Sequence, residues 1–235
     1  MLFTLKYDAE ILSRINHFQN YPEMLPFIGS KWDISTIKIL ILGESHYIDK
    51  ERLGDNFLKD WYNQNSDLLK EKYQTKNYLT NYIFTRAVIH KADKVKELGF
   101  ANPLTIYYNI KNEIKNSILE LSDKKYIFPY LSYYNYFQRP AFKQGDSIIN
   151  DEKDDIVAYN TLVEMVKIIE PQKIIFVSKK AYCAFLFNKR KTSNVNIFDN
   201  KVYSLPHPAT RWWNTKSAPY GNMKGREKFV EILKF

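Results

Sequence analysis

The stretch "GESHY", Gly43 to Tyr47, places a carboxylate, a hydroxyl, an imidazole and a phenol side by side, directly after the apolar run Ile39-Leu40-Ile41-Leu42. A carboxylate there can orient water or stabilise a developing cation. A hydroxyl can hold water but does not take up a proton as a carboxylate does. Later in the chain, "NYFQRPA" opens on Asn135, whose amide offers a donor and an acceptor in one plane. "SLPHPATRWWN" sets His207 between Pro206 and Pro208, on a stiffened loop. A neutral imidazole there can donate a hydrogen bond to a developing oxyanion. Thr210, Arg211, Trp212 and Trp213 follow, with groups suited to holding phosphate and to wedging into a base stack.

These groups need elements to hold them. Four short apolar runs read as buried strands: Lys38–Leu42, Tyr130–Tyr134, Ile174–Val177 and Val202–Leu205. Strands apolar on both faces suit a parallel sheet covered by helices on each side. Before the third run, Leu162, Val163, Val166 and Ile169 share one helical face, and Pro171 ends the helix. "KKAYCAFLFNKR" after it reads as another helix. The alternation predicts an α/β fold: a three-layer α/β/α sandwich with a central four-stranded parallel sheet, as one domain over 1–235. Residues 48–125 carry helical patterning beyond what a crossover needs, which predicts a helical insertion or lid between strands one and two. Ligands of open parallel sheets sit beyond the strand carboxyl ends. Three of the four ends carry the groups above, and Ser178 follows the remaining one.

Composition narrows the chemistry. The chain has 235 residues, only 7 glycines, and neither G-x-G-x-x-G nor G-x-x-x-x-G-K-S/T, which argues against those two modes of nucleotide binding. Its single cysteine, Cys183, excludes an internal disulfide and a cysteine-based cluster. The four histidines, His17, His46, His90 and His207, are scattered, so neither metal nor other cofactor is expected. A formal charge of +9 fits a solvated lysine-rich surface, and equally a polyanionic partner such as nucleic acid. The amino terminus lacks the pattern of a signal peptide, and no apolar run approaches the roughly 20 residues that span a bilayer. A cytoplasmic monomer with no membrane partner is the expectation.

The four motifs together resemble the uracil-DNA glycosylase superfamily. "GESHY" is similar to its first motif in Gly43, Glu44 and Tyr47; "NYFQRPA", "EPQKIIFVSKKA" and "SLPHPATRWWN" resemble its later ones in order. The likeness covers roughly residues 36–48 and 126–235. It departs from the family where Ser45 stands for a water-activating Asp or Asn, His46 for a proline, and Ser178 for a glycine. The resemblance implies a monofunctional DNA glycosylase of base excision repair. Its substrate would be uracil or a related damaged or modified pyrimidine in single- or double-stranded DNA. It implies catalytic roles for Glu44, near the sugar, and His207, at the departing base, with Ser45 holding water. Asn135, Tyr47 and Phe57 would bind the base: Asn135 reading its edge, Tyr47 filling space at C5 and Phe57 stacking. Thr210, Arg211, Trp212, Trp213 and Ser178 would meet DNA.

Each assignment has a plain structural counterpart: a histidine capping backbone, a glutamate fixing loop amides, an asparagine turn, a phenylalanine in the core, tryptophans under a turn. Two other functions fit the same residues. One is a serine esterase using Ser45 and His207, although Ser204 stands where its Asp would be and Tyr47 breaks the G-x-S-x-G elbow. The other is a catalytically silent DNA-binding module.

Overall fold

The computed structural model describes residues 1–48, 50–75, 81–94, 104–142, 147–192 and 196–234, without the side chains of 50–55. Its core is a mixed sheet of five strands: β1 (Phe27–Ile28), β2 (Ile39–Gly43), β3 (Leu131–Asn135), β4 (Lys173–Phe176) and β5 (Val202–Ser204). The spatial order is β1-β3-β2-β4-β5. β3, β2, β4 and β5 run parallel, and β1 pairs antiparallel with β3. The fold is therefore α/β, as expected, but the sheet is five-stranded and mixed. The added strand has two residues, too few to show any period in the sequence. The other four lie within a residue of their expected ends. β5 is only half-buried, because it closes an edge.

Side-chain alternation along the strands feeds two cores. Leu40, Leu42, Tyr134, Ile174 and Phe176 face one; Ile39, Ile41, Leu131, Tyr133 and Ile175 face the other. The first core takes Ile11, Phe18, Leu162, Met165, Ala181 and Phe185 from helices Asp8–Arg14, Asn16–Asn20, Glu152–Ile169 and Lys179–Lys191. The second takes Ile89, Ile110, Ile114, Phe229 and Ile232 from helices Thr85–Lys94, Thr105–Ser117 and Gly225–Lys234.

The described helices of 48–125 contribute to both cores. Phe57, Trp61 and Leu69 enter the first, and Ile89 and Ile110 the second. The helix before β4 begins at Glu152, well before Leu162, the first residue named on its apolar face. A capping box starts it: Asp151 accepts from Asp154 N, and Asp154 accepts from Asp151 N. It ends at Ile169, where Glu170 turns left-handed at φ 45° and Pro171 prevents continuation.

Candidate active site

β2 lies between β3 and β4, so the chain leaves β2 to one side and must later cross to the other. That reversal opens a crevice beyond the strand carboxyl ends, the place where α/β sheets bind ligands. Glu44 follows β2 there. Ser178 follows β4 by two residues and caps helix Lys179–Lys191, accepting from Ala181 N at 3.2 Å. Its hydroxyl donates to Glu44 Oε2 at 2.6 Å, and the amide of Ile148 donates to Oε1 at 3.1 Å. Both carboxylate oxygens are thus held, beside the positive end of a helix. Lys180 ties down the carbonyl of Ile148. The Ser178 hydroxyl thus orients Glu44.

His207 is half-buried on the loop after β5. Its Nδ1 accepts from the amide of Ala209 at 3.3 Å. A neutral imidazole accepting at Nδ1 carries its proton on Nε2, so that edge is a donor. Burial pushes the His207 pKa down from its ordinary value, and the charge of Glu44 pulls it partly back. The backbone-capping use and the donor use therefore coexist on opposite edges of one ring. Asn109, on helix Thr105–Ser117, donates to the carbonyl of Pro208 at 2.8 Å and anchors the loop.

Asn135 ends β3 opposite Gly43 and is buried. Tyr133 donates to its Oδ1 at 3.3 Å. Tyr47 is half-buried and lies within electrostatic reach of Tyr133 and Tyr107. Glu44, Asn135, Tyr47 and His207 thus come from three strand ends to one end of the sheet.

Other expectations need correction. Phe57, expected to stack on a base, is fully buried, edge-on to Tyr73 and tilted against Trp61. Trp213, expected to meet DNA, is 1% exposed and packs on Phe229. Ser178 is buried, and its hydroxyl serves Glu44 and the helix cap rather than DNA. Trp212 does reach the surface, with the Arg211 guanidinium 4.0 Å from its ring centre. Thr210 is exposed but spends its hydroxyl on the carbonyl of His207. Among the described residues, Ser45 Oγ is buried without a hydrogen-bond partner. The nucleophile–base bond that a serine esterase needs is therefore not formed among them.

Sequence reasoning missed Ile148, Tyr133, Tyr107 and Asn109. Only Tyr133 carried a signal, standing two residues before Asn135 and so on the same face of the strand. A cleft of about 240 Å³ lies elsewhere, lined by His17, Tyr21, Trp61, Tyr62 and Glu164 among others, and shares no residue with the strand-end cluster. The convergent polar groups carry more weight than the cavity, because chemistry needs placed donors and acceptors. Among the described residues, no group of three His, Cys, Asp or Glu stands where it could hold a metal ion, and no helix is long and apolar enough to cross a membrane.

His46 faces inward, its Nε2 3.0 Å from Thr85 Oγ1. Burial lowers its pKa to about 4, and lowers that of buried His17 to about 3. An unfolded histidine titrates near about 6.5. Above that pH both states are neutral. Below it the unfolded chain binds two protons that the folded chain refuses, so stability falls as pH falls. Each histidine contributes about 1.4 kcal/mol per pH unit, and together they remove about 2 kcal/mol between pH 6 and 5. Urea unfolding at the two pH values measures this, and His46→Gln should flatten the slope. A stability that holds or rises over that interval excludes the effect.

No family model matches the sequence, and neither does any curated protein.

Proposed function

We propose that this protein is a DNA glycosylase that hydrolyses the N-glycosidic bond of uracil or a related modified pyrimidine. The observation that carries the reading is the pairing of a clamped carboxylate, Glu44, with a neutral Nε2–H donor, His207, at one crevice. Breaking a C1′–N bond leaves positive charge on the sugar and sends the bonding electrons into the base. Glu44 opposes the first charge and His207 stabilises the second. Water then adds at C1′, and the departing base takes up the proton that water loses. Asn135 and Tyr47 contact the flipped base. Arg211 and Trp212 offer an exposed cation and ring beside it, and the charge of +9 favours DNA. In this reading the helices on both sheet faces make a three-layer α/β/α sandwich around four parallel strands, with β1 as an added edge.

The test is product formation. Oligonucleotides bearing uracil or other modified pyrimidines are incubated with the protein in EDTA and then treated with alkali. A break at one modified base is the expected result. Intact strands for every base tested, or backbone cleavage that requires a divalent metal, overturn the proposal. Affinity for duplex should also fall by about 0.9 log units per log unit of salt for each phosphate neutralised. Binding that ignores salt counts against a DNA substrate.

A further inference from the structure

We infer that Tyr133, backed by Tyr107, is a positioning residue that fixes which edge of the Asn135 amide faces the site, and so selects ligands presenting a hydrogen-bond acceptor there. This rests on the reading above that Asn135 meets a base.

Tyr133 and Asn135 project from the same face of β3. Tyr133 is 2% exposed, and its hydroxyl donates to Asn135 Oδ1 at 3.3 Å. Burial holds the phenol well above its ordinary pKa, so it keeps its proton across the working range. A phenol has one proton to give. Tyr107 packs edge-on against Tyr133, ring centres 5.2 Å apart, with its hydroxyl within electrostatic reach of the Tyr133 phenol.

Gly43 makes room for this bond. It pairs in register with Asn135, and a Cβ there would collide with both the Asn135 Oδ1 and the Tyr133 hydroxyl. Any larger residue would drive the two atoms apart. With Oδ1 occupied, the amide presents its NH₂ group to the crevice. That group rewards a ring carbonyl and repels an exocyclic amine, which would set donor against donor. The helix that supplies Tyr107 also supplies Asn109, the anchor of Pro208. One helix of the 48–125 segment therefore steadies both the base-reading amide and the His207 loop.

The experiment is titration of free uracil and free cytosine into the full chain by NMR, for wild type, Tyr133→Phe and Tyr107→Phe. Thermal unfolding confirms that each variant is folded. Wild type should prefer uracil by about tenfold or more, since the mismatch leaves buried donors unpaired. Tyr133→Phe frees the amide to turn, and the preference should collapse toward parity. Tyr107→Phe should lower it by less, and stands in if Tyr133→Phe does not fold. A merely structural role would weaken both bases alike and leave their ratio unchanged. A folded Tyr133→Phe, or Tyr107→Phe in its place, with the wild-type ratio overturns the inference alone. Wild type that binds neither base overturns the inference, whereas the glycosylase reading stands or falls on base release from the oligonucleotides.

Discussion

His207→Ala and Glu44→Gln each lower single-turnover base release by about a hundredfold or more, while DNA affinity hardly moves. Removing the imidazole takes away the Nε2–H donor, whose tautomer is set by the Ala209 amide at Nδ1. That donor matters most when the base carries negative charge, so its loss raises the barrier more than it weakens binding. Glu44→Gln keeps the shape and most of the hydrogen bonding with Ser178 and Ile148. It removes the charge that opposes the cationic sugar. The same change removes the charge that raises the His207 pKa, so the imidazole stays neutral and the donor survives. The two variants therefore act on opposite ends of one bond. Single-turnover kinetics on a labelled oligonucleotide, with anisotropy for binding, separates rate from affinity. Wild-type rates in both variants would remove the mechanism.

The largest loss of stability is expected from Asp154→Ala, at about 3–5 kcal/mol. Asp154 is fully buried and Arg139 is 6% exposed. The guanidinium makes two bonds to the carboxylate, Nε to Oδ1 at 2.8 Å and Nη2 to Oδ2 at 2.5 Å. Tyr62 donates to Oδ1 at 2.8 Å, and the Asp151 amide to Oδ2 at 2.9 Å. Truncation leaves a buried cation and two further donors without their acceptor. It also removes one side of the capping box of helix Glu152–Ile169, the bond from the Asp151 amide, while Asp151 keeps its bond to the amide of residue 154. Arg139 follows Asn135 by four residues, so the loop after β3 loosens and base release falls as well. Replacing both partners by apolar residues of similar volume should cost less than the single change, because no charge is then stranded. Urea denaturation of the single and double variants gives the comparison. A loss under about 1 kcal/mol for Asp154→Ala would mean that water reaches the pair.

The strand-end groups were legible because strands carry their own signal. An apolar run of four or five residues reads locally, and so do the polar residues at its carboxyl end. Helix Lys179–Lys191 and the stop at Pro171 were legible for the same reason. Asp151 and Asp154 were a readable capping box, overlooked because the apolar period begins later than the helix does. Phe57 and Trp213 misled, since an aromatic residue beside a motif looks the same whether it faces the core or a ligand.

The sequence alone determined the α/β class, the four parallel strands and the positions of Glu44, Asn135 and His207 at their ends. Period, propensity and proline placement act over a few residues, so they leave local traces. Tertiary structure decided everything that joins distant residues. Ser178 meets Glu44 across 134 positions, and Ile148 meets it across 104. Asn109 reaches Pro208 across 99. No local pattern marks such pairs, because each partner satisfies ordinary rules where it stands. Packing of the helices against the two sheet faces brings these distant pairs together, and that packing is what holds both oxygens of Glu44.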